Sequence, residues 1–306
     1  MNSKKIICIG ECALDIVFGA DGTPLGSMPG GRLVNAAAIL ARNHDCRVVM
    51  AGEAAADAVG DTVVSFLSDA GVDTTGVDRF TEGRTPVTIF MTAADGRLSA
   101  TRYESYAEEC FDIVWPRIDE GDIVLFGGYY AIDRRMRRRM LPLLQHAAER
   151  KALLVYLPGY LPQQEPRITR VMPAILENME LSHIVCTRSA DLALIFGARD
   201  AAACYRNHID FYCRALLNVD AAAHTVGYYS AAGADVLDVP LSACASLVWN
   251  AGIVAGAVKA LADAGATPEM IETSPAMLRN AVLREAVATA DTALAAMPDA
   301  WQRTHE

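Results

Sequence analysis

The sequence predicts an α/β fold: a mainly parallel sheet flanked by helices, with a small β lid. Strand-length apolar runs alternate with helical stretches, one hairpin of period two interrupts that alternation, and no Ser/Gly/Pro-rich linker divides the chain. The first run, residues 6–9, stops at Gly10, and a helix is expected over 34–42, directly after Gly30-Gly31. A second unit follows. Residues 47–51 read as a strand and 61–69 as an amphipathic helix with Val63, Val64, Phe66 and Leu67 inward, ended by Gly71.

Between Thr85 and Tyr103 the period changes to strand, Asp95-Gly96 turn, strand. Alternation then returns with a strand at 122–126, a helix at 135–150, strands at 152–156 and 182–187, and a helix at 190–196. A helix near 201–217, two strands between His224 and Val239, and helices at 247–262 and 276–296 complete the expected layer. One domain over 1–306 is expected, its lid built from about 11–28 and 84–106.

Composition narrows the function classes. The chain has 306 residues, 52% of them apolar and 21% charged, which describes a globular protein able to bury a substantial core. A net charge of -10 argues against a nucleic-acid partner, since neutralising phosphates requires a concentrated positive face. The eight cysteines lie scattered without a C-x-x-C pair or a His at zinc spacing, so no metal site is expected and free thiols in a reducing cytoplasm are. The opening run is of strand length, so neither a secretory leader nor a membrane partner is expected. Arg134-Arg135 and Arg137-Arg138-Arg139 form the one basic run and read as the solvated face of a helix, alternatively as a partner or anion patch, and Trp115 and Trp249 read as core or pocket-wall residues.

The segment Pro29-Gly30-Gly31-Arg32-Leu33-Val34-Asn35-Ala36 resembles the first signature of the PfkB, ribokinase-like carbohydrate kinases. Gly10-Glu11 with Asp15, and Ala51-Gly52-Glu53 through Asp57, Gly60-Asp61 and Ala70-Gly71-Val72-Asp73, resemble that family's flanking segments in order and spacing. The resemblance implies an ATP- and magnesium-dependent phosphotransferase with an alcohol acceptor. It implies that Asp15, Gly30, Gly31 and Asn35 hold the hydroxyls of a sugar-like or nucleoside-like ligand, because carboxylate and amide groups pair with hydroxyls and glycines admit close approach. Gly127-Gly128, after the strand ending at Phe126, lies at a carboxyl end of the sheet, where α/β proteins bind ligands, and reads equally as a plain loop; without a ligand, Asp15 reads as a turn residue and Asn35 as a helix cap.

The phosphate-transfer half resembles the family far less. Its Asp-Thr-x-Gly-Ala-Gly-Asp loop, anchored on Asn250-Ala251-Gly252, falls on Leu241-Ser242-Ala243-Cys244-Ala245-Ser246-Leu247, so the general-base position holds Leu247 and no catalytic residue is assigned. There is no glycine between Gly233 and Gly252 to let backbone approach a phosphate. The family's Asn-x-x-Glu motif, which helps organise magnesium, falls on Arg188-Ser189-Ala190-Asp191, and its Asp-x-Asn segment on Leu157-Pro158-Gly159. ATP and magnesium are thus implied by the resemblance and opposed by these residues. On the anion or nucleotide side stand Arg188, alternatively an ion-pairing surface arginine; Gly227, alternatively a turn; and Ser246, alternatively with Ser242 a helix cap.

Three functional readings remain open at this point. The first is a degenerate family member that binds a polyhydroxylated ligand with phosphotransfer impaired or absent. The second is an active, atypical kinase of carbohydrates or nucleosides. The third is a non-catalytic protein that forms homodimers through the β lid.

Overall fold

The computed structural model describes residues 4–93, 98–105, 113, 115–162, 164–240 and 246–296. Nine strands form one sheet in which β1 (Lys5–Ile9) lies between β4 (Arg47–Ala55) and β8 (Ile123–Gly128), all parallel. From β4 the sheet ends at β5 (Asp73–Phe80). From β8 it continues in parallel through β9 (Leu153–Pro158), β10 (Ile184–Arg188) and β11 (Ala215–Asp220), then turns antiparallel with β12 (Thr225–Ser230) and β13 (Gly233–Asp238).

The central strands are apolar on both faces because helices cover both. Ile6 and Cys8 of β1 belong to the cluster shared with α1 (Arg32–Asn43), α2 (Ala58–Asp69), α7 (Leu247–Asp263) and α9 (Ala276–Ala295). Ile7 and Ile9 point the other way, towards α3 (Arg134–Glu149), α4 (Met172–Leu181) and α5 (Ser189–Phe196). Two short helices, α6 (Ala201–Cys204) and α8 (Pro268–Thr273), complete the set.

A second sheet of four strands, in the order β3-β2-β6-β7, is built from β2 (Ala13–Phe18), β3 (Pro24–Gly30), β6 (Arg84–Thr92) and β7 (Leu98–Ser105). Side chains alternate across each strand, so Asp15 and Val17 of β2, Met28 of β3 and Thr88 and Phe90 of β6 share one face. On that face Val17 and Met28 form a small apolar cluster with Val248 of α7, with Phe90 packed beside it. The turn expected at Asp95-Gly96 lies outside the described residues.

The expected helix near 201–217 is not one helix. It stops after α6, continues as a π turn over Tyr205–Ile209 and gives way to strand β11. Ala215-Leu216-Leu217 is buried on both faces between β10 and β12, so tertiary context decides a run that periodicity leaves ambiguous. Edge strand β5 and helices α4 and α8 were not expected either. The basic run is also only partly a solvated face: Arg137 is buried, donates to Ala131 O at 3.0 Å, and pairs with Glu177 and Asn178. Trp249 is fully buried, as read, and Trp115 half-buried.

Candidate functional site

The head of α1 brings Asp15, Gly30, Gly31 and Asn35 together. Gly31 caps the helix with φ of 97°, where a Cβ would stand 2.7 Å from Glu11 O. At Gly30 a Cβ would stand 2.2 Å from Asp15 Oδ1, so the absence of a side chain there is what gives the Asp15 carboxylate its room. Asn35 donates through Nδ2 to Pro29 O at 3.1 Å and Gly31 O at 3.3 Å, which pins the turn and leaves its Oδ1 without a protein partner among the described residues.

Asp15 is half-buried, and loss of hydration pushes its carboxyl up to about 7. The Arg102 charge and a hydrogen bond from Thr88 pull it down, while Glu11 pushes it further up. A carboxyl of this kind exchanges its proton near neutrality, so it can accept from a hydroxyl when ionised and donate to one when protonated.

Gly127-Gly128 has a packing explanation. A Cβ on Gly127 would meet Leu157 O at 2.1 Å, and one on Gly159 would meet Gly128 Cα at 2.4 Å, so the ends of β8 and β9 touch backbone to backbone.

At the head of α5 one carboxylate is shared by two guanidinium groups. Asp191 accepts from Arg32 Nη1 at 3.0 Å and Nη2 at 3.2 Å, from Arg188 Nε at 3.2 Å and Nη2 at 2.8 Å, and from the Arg188 backbone amide at 3.0 Å. Burial raises the Asp191 carboxyl, but Arg32 and Arg188 overcome that and hold it far below the usual carboxylate range. Burial in turn lowers Arg188, with Arg32 adding to the effect. Arg188 is therefore a half-buried arginine at the N-cap position of α5, ion-paired with Asp191.

The motif contains Arg32, to which the resemblance gives no role. Its place directly after Gly30-Gly31, at the first position of α1, is the signal that could have found it. It also donates to Pro158 O at 3.4 Å, tying α1 to the end of β9. Gly227 sits inside β12 rather than in a turn, in the row Thr187, Asn218, Gly227 across β10, β11 and β12, and the Tyr229 ring lies over it.

The head of α7 is the third part. Ser246 is fully buried and its Oγ accepts from Trp249 N at 3.4 Å, so its hydroxyl caps the helix. Leu247 follows as the first helical residue, half-buried, and the first turn holds no acidic side chain. Asp235 is engaged by Arg279 Nε at 2.5 Å, Asp238 is exposed on the edge strand, and Asp291 accepts from Trp249 Nε1 at 2.8 Å. The rest of the loop, residues 241–245, lies outside the described residues. Among the described residues no group of three or more His, Cys, Asp or Glu side chains is placed to hold a metal ion, and no helix is long and apolar enough to cross a membrane.

The chain superposes on a fructokinase from Xylella fastidiosa with a TM-score of 0.75 at 20% identity, covering 96% of this chain and 94% of the other. Aminoimidazole riboside kinase from Salmonella enterica, complexed with aminoimidazole riboside and an ATP analog, matches with a TM-score of 0.77 at 18% identity, covering 97% and 94%. A double mutant of the fructokinase from Vibrio cholerae, with fructose, ADP and potassium ion bound, gives 0.80 at 15% identity, covering 98% and 94%. No curated protein matches the sequence. The model of the pfkB family carbohydrate kinases matches residues 3–232, the span that carries both sheets from β1 through β12 and the heads of α1 and α5, and the chain belongs to that family.

Proposed function

We propose that the chain binds a small polyhydroxylated ligand, sugar-like or nucleoside-like, between the second sheet and the head of α1, and that it transfers phosphate poorly or not at all. The first half is supported by the convergence of Asp15, Gly30, Gly31 and Asn35 on one junction, and by structural neighbours whose ligands are fructose and aminoimidazole riboside. The second half rests on the head of α7, where family resemblance expects a carboxylate and this chain presents Leu247. Hydrocarbon cannot take the acceptor's proton, and losing a positioned base costs about 10²- to 10⁴-fold in rate.

Magnesium does not fit the donor set at 188–191. Both Asp191 oxygens are held by guanidinium groups, and a divalent cation would have to displace two arginines to reach the one carboxylate.

The test combines turnover with binding. With ATP, magnesium and a panel of sugars and nucleosides, phosphorylation is expected to stay at least about 10²-fold below that of an active fructokinase assayed in parallel. One or more of the polyols is expected to raise the melting temperature, and Asp15→Ala to abolish that shift. Robust turnover abolished by mutating a single carboxylate would overturn the inactive half and favour the atypical kinase. A dimer that responds to none of the polyols would favour the interaction protein.

A further inference from the structure

The registers of the second sheet place three polar side chains in one row. Asp15 of β2 pairs with Thr88 of β6, and Thr88 pairs with Arg102 of β7. All three point to the face that Val17 and Met28 turn towards Val248, at the head of α7. Arg102 is the one residue of β7 from Ser99 to Ser105 that is not exposed. Its Nη2 lies 2.7 Å from Glu11 Oε1, its Nε donates to Glu104 Oε2 at 2.7 Å, and its Nη1 reaches Thr88 Oγ1 at 3.5 Å. Glu104 is tethered in turn by Gln164 Nε2 at 3.2 Å, from the segment after β9. The guanidinium is thus held from both sides, with Thr88 between it and Asp15.

We infer that Arg102 is a positioning residue: it fixes, through Thr88 and by its charge, the protonation state in which Asp15 meets the ligand. The inference rests on the reading of Asp15 as a ligand-binding residue. Two carboxylates of the second sheet's surroundings, Glu11 and Glu104, share the Arg102 guanidinium, so the charge felt by Asp15 is the balance of one cation and its acidic partners. Around Asp15, β3 brings Met28 and Gly30, and α1 begins with Arg32, a cation committed to Asp191 through Nη1 and Nη2. Glu11 works against Arg102, and loss of hydration works in the same direction as Glu11.

Three physical consequences follow. A nearby cation favours the carboxylate, so removing it raises the pH at which Asp15 ionises. Lysine retains the charge but not the fork that spans Glu11, Glu104 and Thr88, so it restores the charge effect in part. A carboxyl raised in the folded state stabilises the fold below its unfolded value, and that contribution is lost as pH rises through the folded value, here near neutrality.

The experiment follows the Asp15 carboxyl carbon by NMR from pH 5 to 9, and the melting temperature over the same range, in the ligand-free protein. Wild type is expected to titrate near neutrality and to lose stability across that step, and Asp15→Asn to lose the step. Arg102→Gln is expected to move the midpoint up by about one pH unit, with Arg102→Lys in between. An Arg102→Gln protein that is less stable by the same amount at every pH, with its Asp15 midpoint unmoved, would overturn the inference. The same holds if Arg102→Lys matches Arg102→Gln. Because neither readout needs a ligand, failure of the polyol reading shows itself separately, as a normal Asp15 titration in a protein that no polyol shifts.

Discussion

Replacing Asp191 with asparagine is expected to cost the folded protein about 3 kcal/mol, because it removes the carboxylate that Arg32 and Arg188 share. The Asp191 side chain is 4% exposed and the two arginines 31% and 19%, so the loss falls at the lower end of the range for breaking a buried pair. Its pH dependence has a defined sign. The folded carboxyl lies well below its unfolded value of about 4, so its contribution is complete above that value and disappears only as pH falls into strong acid. Urea unfolding at pH 7 should show the full difference between wild type and variant, and unfolding near pH 2 a smaller one. Equal midpoints at pH 7 would show that the cluster holds nothing together.

The second large effect is steric. Helix α7 crosses α9 through Gly252 and Gly256, and a Cβ on Gly256 would meet Glu285 O at 2.4 Å, Ala286 Cα at 2.7 Å and Thr289 Cβ at 2.8 Å. Two of those three atoms are backbone, so neither helix can yield by rotating a side chain. Gly256→Val is expected to destabilise by about 3 kcal/mol through overpacking, and Gly256→Ala by less. Chemical denaturation measures both, with an unchanged denaturant slope showing that the native state is still the one being unfolded. The site bears on the proposed function because α7 carries Leu247 at its head. A valine that shifts the helix would also weaken the Ser246 cap on Trp249.

The alternation of strands and helices was legible because it rests on local periodicity, and so was the head of α1, where Gly30, Gly31 and Asn35 lie within six positions of one another. What escaped was set by distant contacts. Residues 215–220 form a strand because β10 and β12 flank them, which no local pattern states. Arg32 and Asp191 lie 159 positions apart, so their pairing cannot be read from either neighbourhood. Arg102 is similar: along the chain it is one polar residue of a hairpin, and only the pairing of three strands sets it in line with Asp15. The absence of an acid at the start of α7, by contrast, was plain in the residues themselves.

The hairpin of β6 and β7 therefore controls more than strand pairing. A slip of one residue between those strands would turn Arg102 outwards and offer Thr101 or Tyr103 opposite Thr88 in its place. The number of residues between β6 and β7 thus bears on an electrostatic property of a carboxyl two strands away. Inserting or deleting a single residue there should alter acidity at β2 even where the backbone still folds.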